Sequence, residues 1–91
     1  MVVTDTTHRV TGALTPDVTG DYRPIGLHNG KMSYELEGNG WFIWWNGINT
    51  WIISTEVGLE HDDWWERVNA LVVGAYNPLG GAIGIATVAE I

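Results

Sequence analysis

The sequence predicts an all-β fold: a small antiparallel sandwich or barrel-like meander of about six to seven short strands. Three observations lead there. Gly, Pro, Asn and Asp recur every few residues, so no helical pattern of ten or more residues survives between breaks. The runs between breaks are rich in Val, Ile, Thr, Tyr and Trp, which fit a pleated, half-buried surface. Six Trp and twelve Gly stand out among 91 residues, a pairing of bulky core side chains with tight turns. The length supports one domain, 1–91, with residues 1–8 expected as a flexible N-terminal arm.

Strands are expected near 9–14, 18–24, 31–37, 41–45, 50–55, 70–76 and 82–90. Gly38-Asn39-Gly40 suits a three-residue hairpin loop, because Gly accepts a left-handed position. Asn46-Gly47-Ile48-Asn49 suits a loop of two or four residues. These loop lengths put Met32, Tyr34, Leu36, Phe42, Trp44, Trp51 and Ile53 on one core face. Trp41, Ile43 and Trp45 then share the other face. A one-residue change in a loop inverts that assignment. Residues 59–70, LEHDDWWERVNA, read as a loop or a short helical turn started by Asp62 or Asp63. One internal echo is present: Val18-Thr19-Gly20-Asp21-Tyr22-Arg23-Pro24 and Val72-Val73-Gly74-Ala75-Tyr76-Asn77-Pro78 both read V-x-G-x-Y-x-P. Two copies are too few for a solenoid and suggest matching strand-to-turn units.

Composition narrows the function. Four basic residues face eleven acidic ones, a formal charge of −7, which disfavours phosphate binding and hence a nucleic-acid partner. No run approaches the ~18 apolar residues of a helical membrane span, so membrane insertion is not expected. With no Cys, disulfides and thiolate metal sites are excluded.

Catalytic signals are bland. His8, His28 and His61 lack metal-ligand spacing, and Ser33 and Ser54 sit in strand patterns without a nucleophile elbow. Gly80-Gly81-Ala82-Ile83-Gly84 opens no helix and has no Lys to meet a phosphate. The densest polar cluster is Glu60-His61-Asp62-Asp63. Glu60, Asp62 and Asp63 are weak candidates for a Ca²⁺ site, but the alternating acids and central Gly of an EF-hand are missing, and a solvated acidic loop is the plainer reading. An enzyme is not expected, and no cofactor is implied.

The string Gly20-x-Tyr22-x-Pro24, Asn29-Gly30-Lys31-x-x-Tyr34, Trp41-x-Ile43-Trp44-Trp45-Asn46-Gly47, Trp51-x-Ile53-Ser54 and, later, Gly81-Ala82-Ile83-Gly84-Ile85-Ala86-Thr87-Val88 resembles a small Gly/Trp-rich β-module. Such modules occur in phage virion proteins and in large bacterial surface proteins. The resemblance spans roughly Val10 to Glu90 and implies a modular β-domain on a particle or cell surface, without carrying over any catalytic residue.

The expected function is therefore a non-enzymatic structural or adhesive part, foremost a phage capsid or tail accessory, docking through aromatic faces and β-edges. The expected interaction surface is Trp41, Ile43, Trp45, Trp64 and Trp65. Partners would be further copies, as a homo-oligomer, or a larger virion or surface assembly. The alternative is a carbohydrate-binding module with Trp41, Trp45, Trp64 and Trp65 as sugar platforms. A third reading is a Ca²⁺-stabilised adhesive module.

Overall fold

The structure is a computed structural model. It describes residues 5–37, 40–58 and 63–91, without the side chain of Asp63. The eight strands are β1 (His8–Thr11), β2 (Gly20–His28), β3 (Lys31–Leu36), β4 (Phe42–Trp45), β5 (Thr50–Ser54), β6 (Asp63–Val68), β7 (Gly74–Gly80) and β8 (Ala86–Glu90). Each pairs antiparallel with the next, and β8 returns to β1, so the meander closes into a barrel. One strand more is present than the sequence suggests, because Asp63–Val68 is extended, not a loop or a helical turn. Its pairing with β5 and β7 fixes it there, with Trp65 turned inward and fully buried.

Alternation along each strand separates inside from outside. The inward positions hold Val10, Tyr22, Tyr34, Leu36, Ile43, Trp45, Trp51, Ile53, Trp65, Tyr76, Ala86 and Val88, which form one continuous core. Outward positions carry Arg9, Asp21, Arg23 and Glu35, and cross-strand pairs join Arg9 to Asp21 and Arg23 to Glu35, each at 2.7 Å.

The register of β4 differs from the expected one. Leu36 N–H donates to Trp41 O at 2.8 Å, so four residues, 37–40, link β3 to β4. At the next connection Asn46 N–H donates to Thr50 O at 2.9 Å, leaving three residues between them. Both loops differ by one residue from expectation, and the two shifts cancel. Trp51 and Ile53 still point inward, but in β4 it is Ile43 and Trp45 that fill the core, while Phe42 and Trp44 face out. Asn46 sets the second loop: its Oδ1 accepts N–H bonds from Ile48, Asn49 and Thr50 at 2.9–3.1 Å.

Outward Trp44 and Ile52 are nevertheless buried. The segment leaving β5 lies against this face. Trp44 Nε1 donates to Ser54 Oγ (2.9 Å), Ser54 Oγ donates to Glu56 O (3.0 Å), and Gly58 sits beside the His28 ring, itself edge-on to Trp44. This segment provides cover for Trp44.

The echoed motif has one geometry at both of its sites. Tyr22 hydroxyl donates to Val18 O at 2.7 Å, and Tyr76 hydroxyl donates to Val72 O at 2.6 Å. Gly20 and Gly74 adopt φ of 137° and 133°, a region that side chains with a Cβ rarely enter. Each tyrosine pins the loop that feeds its strand. Because β2 and β7 run in opposite directions along the meander, the two anchors fall at opposite ends of the barrel.

The expected arm is partly structured. Thr7 N–H donates to Tyr22 O and His8 opens β1 as a buried residue, while residues 1–4 lie outside the described part.

Candidate functional site

Antiparallel strands give the barrel two unlike ends. One, the turn end, carries the β2–β3, β4–β5 and β6–β7 connections, together with the outer ends of β1 and β8. The other, the loop end, carries the remaining four connections.

The five residues expected as an interaction surface divide between core and rim. Ile43 and Trp65 are fully buried and Trp45 is 8 % exposed, so these three pack the barrel and offer no contact face. Alternation put Trp41 and Trp45 on one side, and that side proved to be the inside. Trp41 and Trp64 remain half-buried. Trp41 lies edge-on to Trp65 with ring centroids 6.3 Å apart, and so packs against the core at the loop end. Trp64 faces outward beside Leu79 in the register, and its buried Nε1 has no acceptor among the described residues. Of the four Trp expected as sugar platforms, two are thus internal. Glu60 and Asp62 lie outside the described residues, as does the side chain of Asp63. Among the described residues no group of three or more His, Asp or Glu gathers.

Closure also removes most of the expected β-edge. Beyond Tyr22, β2 runs past β1, and beyond Tyr76, β7 runs past β8. Pro24 and Pro78 lie in those stretches, and a bulge follows between Pro24 and Gly26, devices that blunt an edge against further pairing.

What sequence reasoning missed is the turn end. Leu27, Ile48, Val68 and Leu71 are 62–80 % exposed there. Ile91 is exposed at the same end. Lys31 Nζ stands 5.0 Å from the centre of the Trp45 ring, and Trp45 packs at 5.5 Å on Trp51, whose Nε1 donates to Ala70 O at 3.2 Å. Arg67 donates through Nε to Leu71 O at 3.0 Å and through Nη1 to Ala75 O at 3.4 Å, with its guanidinium lying against Gly74. Asn29 Nδ2 donates to Trp45 O at 3.0 Å, tying the β2–β3 turn to β4. The result is an apolar rim with two cations held at defined positions. A count of turn residues would have found it, since the three connections at this end contain no Asp or Glu.

The loop end is built differently. Its β1–β2 and β3–β4 connections carry Asp17 and Glu37 and none of the four basic residues. Asp17 accepts from Thr19 N–H (3.0 Å) and Thr19 Oγ (2.6 Å), which hold its carboxyl below the usual range and keep it charged. The β1–β2 and β7–β8 loops close this end over the core through paired backbone bonds between Thr15 and Ile83, at 3.1 and 2.8 Å. Trp65 Nε1 donates to Gly84 O at 2.9 Å beneath them. The described side chains leave no ligand-sized cavity.

Comparison of the chain with protein-family models, with curated proteins and with solved structures finds no match.

Proposed function

We propose that this chain is a non-enzymatic docking module, a structural or adhesive accessory of a virion or bacterial surface assembly, that engages a protein partner through the turn end of its barrel. The observation carrying this reading is the distribution of apolar side chains. The aromatic residues fill the barrel, and a second apolar set, Leu27, Ile48, Val68 and Leu71, stands exposed around one end. Exposed apolar residues gathered beside fixed cations have the composition of a contact patch with a polar rim. The virion or cell-surface setting is supported by the resemblance of the turn-and-core string to modules found there. A capsid or tail is its foremost form.

Cosedimentation with particles or envelopes from the encoding source tests the reading. The purified module is expected to pellet with them, and Ile48→Asp with Leu71→Asp is expected to abolish pelleting while leaving the β-sheet circular dichroism unchanged. Retained pelleting in that double variant would move the contact off the turn end. Binding of oligosaccharide with a change in Trp fluorescence, lost in Trp41→Ala, would replace the reading with glycan recognition.

A further inference from the structure

We propose that the turn end takes an acidic segment of its protein partner, one that brings two carboxylates to Lys31 and Arg67 with apolar side chains between them. This rests on the docking reading above and names the chemistry of its occupant. A row of side chains across four adjacent strands carries it. Lys31 of β3 stands with Nζ 5.0 Å from the centre of the Trp45 ring of β4. Trp45 pairs in register with Trp51 of β5 and packs on it at 5.5 Å, and Trp51 pairs in turn with Arg67 of β6. The row thus reads cation, indole, indole, cation. With strands about 4.8 Å apart, the two cations are rooted within about 15 Å of each other, the reach of about five extended residues.

Neutral groups hold both cations in place. Arg67 gives Nε and Nη1 to the carbonyls of Leu71 and Ala75, and Lys31 rests on a ring face. Such partners fix a position but leave the charge without a counter-ion. Both residues are half-buried, where an uncompensated charge is costlier than in open water. The other two basic residues, Arg9 and Arg23, already have carboxylates at 2.7 Å. Lys31 and Arg67 have none among the described residues. Asp5 and Glu90 belong to the β1–β8 side, across the barrel, and Glu66 points to the opposite face of β6 from Arg67. A partner's carboxylates supply the missing counter-charge, and exposed Ile48 and Leu71 give apolar contact beside them. A polyanion fits worse. The chain carries a formal charge of −7, so a nucleic acid or an anionic bilayer is repelled by the surface beyond these two cations.

The test is a nitrogen-15 NMR titration of the full chain with an end-capped peptide, Asp-Leu-Ser-Leu-Asp, beside the same peptide with Lys at both ends. The acidic peptide is expected to shift the amide signals of Lys31, Ile48, Arg67 and Leu71, with a Kd of about 1 mM or tighter. The Lys peptide is expected to shift none of them. Lys31→Gln should weaken acidic binding about five-fold, and Lys31→Arg should retain it. Arg67→Gln should match Lys31→Gln; because Arg67 also props the β6–β7 connection, Lys31→Gln decides if that variant fails to fold. Signals unmoved by about 5 mM acidic peptide, movement by both peptides alike, or full affinity in Lys31→Gln would overturn the proposal. Tighter binding of a single-stranded DNA oligomer or of phosphatidylglycerol vesicles at the same signals would also overturn it, in favour of phosphate. If the peptide fails while wild type still pellets with particles, the docking reading stands without an acidic partner. If the peptide binds while pelleting fails, the chemistry of the site stands and the assembly reading falls.

Discussion

The two copies of V-x-G-x-Y-x-P share a local geometry but not an environment. Around Tyr22 the anchor is closed: Val18 is fully buried, and the backbone of Gly20 faces the Leu36 methyl, where a Cβ would lie at 2.7 Å. Around Tyr76 it is looser: Val72 is half-buried, and Gly74 faces the Arg67 guanidinium. The motif fixes a strand entry, and the residue seated over its glycine decides how each end behaves. A hydrocarbon there seals the loop end. A cation there leaves the turn end with charge and with exposed apolar neighbours. One sequence unit thus serves a closing role at one end and a presenting role at the other.

The glycines give the largest expected effect. Gly20→Ala forces a Cβ into an unfavourable φ and against a buried side chain, so a loss of about 3 kcal/mol is expected by chemical denaturation. Gly74→Ala meets the end of a longer, partly exposed side chain and should cost about 2 kcal/mol. In an Arg67→Ala background the Gly74→Ala cost should fall by about 1 kcal/mol, a coupling that a double-mutant cycle reads. Equal costs at both glycines would remove the distinction between the ends.

The tyrosine hydroxyls come next. Tyr22→Phe leaves the Val18 carbonyl without its donor in the core and should cost about 2 kcal/mol, against about 1 kcal/mol for Tyr76→Phe over half-buried Val72. Thermal or urea unfolding of the two variants side by side checks the order.

Alkaline pH acts on both anchors alike. Burial raises the Tyr22 and Tyr76 hydroxyls well above their ordinary value of 10.0; Asp17 adds to this at Tyr22, whereas Arg67 opposes it at Tyr76. A raised folded value means that the neutral hydroxyl's contribution is complete below the unfolded pKa. It is lost above that value, where the unfolded chain ionises first. Stability should therefore fall above about pH 10, by about 1.4 kcal/mol per pH unit for each tyrosine, and either Phe substitution should remove one share of that slope.

The smallest effect is acidic. Desolvation lowers the His8 pKa from 6.5, with Glu90 pulling the other way. The unfolded chain takes up the proton first, so stability should decline as pH drops below 6.5. A His8→Gln variant whose denaturation midpoint shows the same decline would remove His8 as its source.

Much of this architecture was legible beforehand. The short apolar runs gave seven strands, and the glycine and asparagine clusters marked most of the turns. The V-x-G-x-Y-x-P echo pointed to matching strand entries. Facing in β4 was not legible, because Phe42-Ile43-Trp44-Trp45 is apolar on both sides and no alternation tells inside from outside. Only the loop registers decide it, and Asn46 sets one of them through three backbone bonds that spacing alone does not reveal. β6 was missed because its charged residues break the apolar run around Trp64-Trp65. The expected contact surface failed for a related reason. It counts Trp45 and Trp65 as contact residues, whereas a closed barrel of this size needs Trp45, Trp51 and Trp65 to fill it.

The pairing of β1 with β8 has a practical corollary. Ile91 N–H donates to Thr7 O at 3.0 Å, so the first and last strands finish side by side. A short linker can join them, and the polypeptide can be reopened at the exposed Gly47–Asn49 turn without severing a strand. Such a circular permutant would move the point of attachment from one side of the barrel to another, turning the cylinder within whatever scaffold holds it.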